Sequence, residues 1–267
     1  MATMRLDEVA AAAFGVTREE AAALIMEGRV WIGDIPADKP GTPVKAGAAL
    51  TLRQKGRKYA SRSGYKLEKA LRYFALNVDG QTVCDIGASN GGFTDCLLQN
   101  GAARVFAVDV AYGILAWELR QDERVTVMER TNARHLTAEQ LGERCDLVTV
   151  DVAFISLTKI FPAIDRILKE DGRCVCLIKP QFELKPFQLG KNGMVKDPAV
   201  LPGLIGSLID AAAGNRLYLR GLTVSPIHGT NGNVEYLLFL DRQPAVPDDE
   251  RERLIAETVA LRPDEEG

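Results

Sequence analysis

The chain has 267 residues, a formal charge of −3, 46% hydrophobic residues and five cysteines, enough for one large domain plus a small one. No apolar run approaches the ~20 residues of a membrane span, and the opening MATMRLDEVA lacks the apolar centre of a signal peptide; a cytoplasmic protein is expected. With no CxxC pair and only His135 and His228, neither zinc nor a disulfide framework is expected, and Cys84, Cys174 and Cys176 read as core thiols.

Residues 1–52 read as a small α+β module. RLDEVAAAAFG is a short helix closed by Gly15. Thr17, followed three residues later by Glu20, is a capping box for a second helix that ends at Gly28. Short strand runs follow at Val30–Ile32 and 49–52. RLDEVA, TREEAAALIMEGRVWIGD and KPGTPVKAGAALTL resemble the S4-type RNA-binding domain. The Val30-Trp31-Ile32-Gly33-Asp34 turn departs from the usual V-x-V-N-G of that pattern, although Gly33 still suits a tight turn. The resemblance implies an RNA face with Arg5, Arg18 and Arg29 as its cations.

Residues 53–61 (RQKGRKYAS) are a basic linker. From 51 to 73 there are eight Lys and Arg against one acid, Glu68. So focused a basic patch on a mildly acidic chain suits a polyanionic partner, and Lys55, Arg57, Lys58 and Arg62 are candidate RNA contacts. A helix pattern through Leu67, Ala70, Leu71 and Phe74 carries Lys66 in its first turns.

From residue 82 to 240 strands and helices alternate. The strand candidates are TVCDIGA, RVFAVDVA, RVTVMER, CDLVTVDVAFI, RCVCLIKP, LYLRGLTVSP and VEYLLFL; the helical ones include GFTDCLLQNG, YGILAWELRQ, SLTKIFPAIDRILKEDG and DPAVLPGLIGSLIDAAAG. Repeated βα units predict a mostly parallel sheet with helices on both faces and one antiparallel strand near the end. Residues 241–267 read as an acidic tail with one short helix near residues 252–261.

DIGASNGGF places Asp85, then Gly87, Ala88, Ser89, Gly91, Gly92 and Phe93, at a strand-to-helix turn where backbone approaches a ligand closely. The spacing is not GxGxxG, and Asp85 beside a pyrophosphate would be costly. A ligand with a sulfonium and an ammonium, S-adenosyl-L-methionine, fits better. Asp109, 24 residues after Asp85, is placed to accept ribose hydroxyls; Glu129 and Asn132 are candidates for the adenine or the methionine end. No GxxxxGK[ST] phosphate loop is present.

For the methyl acceptor, the fourth strand lacks the Asn/Asp-Pro-Pro-aromatic motif of amino-methylating enzymes. Cys174 and Cys176 share one face inside a strand, which disfavours a cysteine nucleophile. Asp151, Lys179 and Glu235 instead stand at strand ends facing one crevice, with Lys66 upstream. A ribose 2′-hydroxyl is a weak acid and needs a positioned base; lysine serves when burial or a like charge lowers its pKa.

Here residues 62–240 resemble the FtsJ-type ribose 2′-O-methyltransferases, whose Lys-Asp-Lys-Glu tetrad falls on Lys66, Asp151, Lys179 and Glu235. RSGYKLEKAL, DIGASNGGFTDCLL, VDVAYG, ERTNAR, VDVAFISL, LIKPQFE and SPIHGTNGNVEYL extend the resemblance to the TlyA family, which joins an S4-type domain to this enzyme and includes members named hemolysins. Asn90 and Ala153 stand where Thr and Ser are usual. The resemblance implies a Rossmann-like class I methyltransferase with a seven-stranded, mostly parallel sheet, preceded by a small α+β S4-type domain. It implies S-adenosyl-L-methionine as cofactor, 2′-O-methylation of cytidine in ribosomal RNA or ribosomal subunits, and Lys179 as the general base. A membrane-active hemolysin and a non-catalytic RNA-binding module are the rival readings. In FELKPFQLGKNGMVKD, Lys185, Lys191 and Lys196 are candidate phosphate contacts or residues of an ordinary loop. Tyr65, Phe154 and Phe182 are candidate stackers for a flipped nucleotide, with Phe154 read foremost as core.

Overall fold

The structure is a computed structural model that describes residues 3–32, 35–37, 39–45, 47–52, 58–229 and 232–261. It divides into two units, residues 1–60 and 61–267.

The first unit contains β1 (Thr3–Arg5), α1 (Leu6–Phe14), α2 (Arg18–Met26), β2 (Val30–Ile32), β3 (Ile35–Pro36), β4 (Pro43–Lys45) and β5 (Leu50–Leu52). Gly15, at φ 67°, ends α1, and the Thr17–Glu20 capping box starts α2. β1 pairs with β4, while β2 lies between β3 and β5. Leu6, Val9, Ala10, Ala21, Ile25, Val30 and Val44 form its small core. The Gly33–Asp34 turn lies outside the described residues.

The second unit runs α3 (Ser63–Tyr73), β6 (Thr82–Ile86), α4 (Gly92–Gln99), β7 (Arg104–Val108), α5 (Trp117–Gln121), β8 (Val125–Met128), α6 (Ala138–Leu141), β9 (Cys145–Val150), α7 (Phe161–Ile167), β10 (Leu168–Ile178), α8 (Pro180–Glu183), α9 (Leu201–Ala213), β11 (Tyr218–Val224), β12 (Tyr236–Asp241) and α10 (Asp248–Ala260). Its seven strands lie in the order β11-β12-β10-β9-β6-β7-β8. β12 inserts antiparallel between β10 and β11; the pairs among β6, β7, β8, β9 and β10 are parallel. Cys84, Ile86, Val108, Val148, Val150, Cys174, Cys176 and Ile178 share a core with residues of α7, α9 and α10. The period-2 alternation sends the other set of side chains to the opposite face, where α4 contacts β6 and β7, and α3 contacts α4 and β12.

Three elements differ from the sequence pattern. The YGILAWELRQ helix is only Trp117–Gln121, because Gly113 takes φ 74° and breaks the run before it. The chain leaves α7 at Ile167 and enters β10 at once, with a register shift between Leu168 and Arg173. In the segment read as an acidic tail, β12 extends to Asp241 and α10 contacts β11, burying Ile255 and Thr258. The Thr258 hydroxyl donates to the Leu222 carbonyl at 3.1 Å.

Candidate active site

β6 and β9 are neighbours in the sheet but their chain continuations diverge, so their C-terminal ends open a crevice. A cavity of about 440 Å³ fills it. The loop after β6 forms one wall. Gly87, at φ 85°, donates to the Val108 carbonyl at 2.8 Å, and a Cβ there would strike the Asp151 backbone carbonyl. Only glycine lets the first loop approach the end of β9 so closely.

Gly87, Ala88, Ser89, Phe93, Asp109 and Asn132 line the cavity. Asp109 accepts the Ser89 and Ala111 backbone N–H groups, each at 2.8 Å. Its oxygens keep lone pairs for a ligand that presents hydroxyls. Val108, Val110, Ile114, Ala133, Val152 and Ile155 supply apolar walls suited to a flat ring. Ser61 and Ser63, joined by a 2.7 Å hydroxyl–hydroxyl hydrogen bond, close another side. Sequence patterning named neither serine as a site residue, although Ser63 lies within RSGYKLEKAL.

Four expected cofactor residues stand elsewhere. Asp85 is fully buried beneath the loop, accepting Thr94 Oγ1 at 2.7 Å and Thr149 Oγ1 at 3.0 Å. Thr149 is its cross-strand partner on β9, so the carboxyl points into the layer under α4 and not into the cavity wall. Burial, outweighing the two donated hydrogen bonds, raises its pKa to about 7. Glu129 is turned away by an ion pair with Arg120 and by the Gly113 N–H at 2.9 Å. Gly91, at φ 93°, packs against Leu115 and Leu119, and Gly92 against Ser61 and Ser63; both shape the turn behind the cavity.

The tetrad positions form two ion pairs at one end of the sheet. Lys179 Nζ lies 2.5 Å from Asp151 Oδ1, and both residues line the cavity. Lys66 Nζ lies 2.5 Å from Glu235 Oε2 in a buried pair that joins positions 169 apart in the chain. Ile178 pairs with Tyr236, so the next position outward sets Lys179 beside Glu235. Pro180 starts α8 immediately after Lys179, which ends β10 at the crevice.

Phe154 is not core. It is 91% exposed at the cavity rim, takes φ 63°, and its ring centre lies 5.0 Å from that of Phe182. Glu183, its pKa raised by burial, accepts the Leu157 N–H at 2.8 Å and so ties the Phe154 loop to α8.

In the first unit Arg5 and Arg18 converge on Asp7. Arg5 makes a two-pronged contact at 3.0 and 2.8 Å, and Arg18 approaches at 3.2 Å with half of each arginine side chain exposed. Arg29 lies 3.5 Å from Glu27. Lys58 stands over the Tyr59 ring and Arg62 is exposed; Lys55 and Arg57 lie outside the described residues. Among the described residues, no group of three or more His, Cys, Asp or Glu is arranged to hold a metal, and no helix is long and apolar enough to cross a membrane.

The sheet order and the cavity at the β6/β9 switch point define a Rossmann-like class I methyltransferase preceded by an S4 domain. The pattern of FtsJ-like methyltransferases matches residues 59–242 and that of the S4 domain residues 4–50. The chain is 46% identical over 228 residues to the 16S/23S rRNA (cytidine-2'-O)-methyltransferase TlyA of Mycobacterium tuberculosis, covering 85% of each chain. It is 38% identical to Hemolysin A of Brachyspira hyodysenteriae, covering 88% of this chain and 98% of that one. A solved structure from Streptococcus thermophilus that carries the name hemolysin superposes with a TM-score of 0.73 at 38% identity, covering 97% of this chain and 96% of that one. The chain belongs to the TlyA family.

Proposed function

We propose that this protein is a cytoplasmic, S-adenosyl-L-methionine-dependent methyltransferase that modifies the ribose 2′-hydroxyl of a cytidine in ribosomal RNA. The observation that carries the reading is the Lys179–Asp151 pair in the cavity wall, backed by the buried Lys66–Glu235 pair at the adjacent strand end. The names of the TlyA relatives support the same chemistry.

The residues present suit the cofactor. Asp109 accepts hydroxyls, the loop at Gly87 lies close to the end of β9, and the apolar walls take a flat base. Asn132 and the Ser61–Ser63 pair offer polar contacts. When bound, S-adenosyl-L-methionine supplies the methyl group from its sulfonium.

Lys179 Nζ is the base that takes the proton of the 2′-hydroxyl. Asp151 Oδ1, 2.5 Å away, faces the positive charge that the lysine then carries. Glu235, held by Lys66, fixes the neighbouring strand end. Phe154 offers its exposed ring to the base of the target nucleotide. The S4 domain and the basic linker supply the RNA contacts that position the substrate, through Arg5, Arg18, Arg29, Lys58 and Arg62. Mapping 2′-O-methyl marks on ribosomal RNA treated with the purified protein tests the reading: a new mark on a cytidine supports it, and an unchanged pattern on both subunits defeats it.

A further inference from the structure

Between α8 and α9 the chain makes an excursion that the catalytic reading does not use. Residues 184–196, LKPFQLGKNGMVK, hold three lysines and no acid. Leu189 and Val195 form an isolated antiparallel bridge. The Gly190 N–H donates to the Met194 carbonyl at 2.7 Å, and the Lys196 N–H to Gln188 at 3.1 Å. Left uncovered are Phe187, 71% exposed, and Met194, 38% exposed.

The excursion is held in shape by Asn233, which is only 3% exposed. Its Nδ2 donates to the Gly193 carbonyl at 2.9 Å, and its Oδ1 accepts the Val195 N–H at 3.1 Å. Lys196 Nζ donates to the Phe187 carbonyl at 2.9 Å. Asn233 stands two residues before Glu235, so the hairpin is mounted on the segment that delivers a tetrad carboxylate. The flanking acids are engaged elsewhere: Glu183 accepts the Leu157 N–H and Asp197 the Ala199 N–H.

A preordered loop has already lost part of the entropy that binding would cost. An exposed ring beside lysines, with no acid in the segment, suits a single-stranded polyanion whose bases stack and whose phosphates pair. A duplex keeps its bases stacked inside, and an apolar peptide has no use for the lysines. We propose that Phe187 and Met194, flanked by Lys185 and Lys191, form a docking surface for an unpaired nucleotide of the RNA, outside the catalytic cavity. The proposal rests on the reading of the protein as an RNA methyltransferase.

The test uses the full-length protein, its Phe187→Ala variant and a Lys185→Ala/Lys191→Ala variant. Each is titrated with a short labelled single-stranded RNA, with its duplex form and with vesicles of anionic phospholipid at several salt concentrations. Phe187→Ala is expected to weaken single-strand binding roughly tenfold while sparing the duplex. The lysine variant is expected to flatten the dependence of affinity on salt. Unchanged affinity for S-adenosyl-L-methionine checks that both variants fold. Single-strand binding by Phe187→Ala equal to that of the parent overturns the proposal. So does a loss confined to vesicles of anionic phospholipid, which would assign the patch to a membrane surface. A parent protein that leaves ribosomal RNA unmethylated, but whose single-strand binding still depends on Phe187, supports the docking surface and defeats the methyltransferase reading.

Discussion

Asp151 and Lys179 meet across the ends of adjacent parallel strands, with Lys179 Nζ 2.5 Å from Asp151 Oδ1. No hydrogen bond reaches that oxygen among the described residues, so the lysine is its charge partner. Asp151→Asn keeps the shape and removes the charge. It is expected to slow methyl transfer by roughly 10²-fold or more while cofactor affinity, measured by calorimetry, is retained. Equal loss of cofactor affinity and rate would make Asp151 a cofactor ligand instead.

Phe154 combines an exposed ring with a left-handed backbone, φ 63°. An L-residue there carries a cost of about 1–2 kcal/mol that glycine avoids. Phe154→Gly is therefore expected to be more stable in urea than Phe154→Ala, by roughly 1 kcal/mol. Both variants are expected to lose about tenfold or more in turnover of RNA, the worth of one stacked base. Full activity in Phe154→Ala would remove the ring from substrate contact.

Much of the fold was legible because its signals are local. The βα alternation, the glycine turn after β6 and the Thr17–Glu20 box each lie within a few residues. Positions whose partners lie far along the chain were grouped from the strand ends and matched to the family pattern, but their pairing was not: Lys66 and Glu235 meet across 169 positions. Where neither signal exists the sequence does not show a residue's surroundings. Asp85 looks like a ligand carboxylate until β6 pairs with β9 and Thr149 comes to its side. Glu129 looks available until Arg120 turns to it. Phe154 reads as core by type, yet the turn after β9 sends it to solvent.

Asp85 makes stability depend on pH. Burial raises its pKa from 3.8 to about 7. A carboxyl that holds its proton more tightly when folded contributes stability that is fully present below pH 3.8 and is lost as pH rises through about 7. The effect is bounded at the order of 4 kcal/mol, three units at about 1.4 kcal/mol each. Asp85→Asn cannot ionise, so urea unfolding of that variant between pH 4 and pH 8 is expected to show a flatter slope than the parent. Parallel slopes would contradict the assignment.

Asp7 works in the opposite direction. The Arg5 guanidinium beside it, helped by Arg18 and opposed by burial, holds its pKa down to about 2. Its contribution is present above pH 3.8 and is lost as pH falls through about 2. Asp7→Asn is expected to loosen both arginines and weaken RNA binding, read by titration with ribosomal RNA, with cofactor affinity unchanged. RNA affinity equal to the parent's would show that the clamp on Arg5 and Arg18 serves the fold alone.

In the proposed reaction Lys179 takes the 2′-hydroxyl proton. A single-turnover assay of Lys179→Ala on ribosomal RNA, with cofactor binding measured on the same preparation, tests it most directly. Retained S-adenosyl-L-methionine binding and no detectable 2′-O-methylcytidine are expected. Methylation at the parent's rate would contradict it.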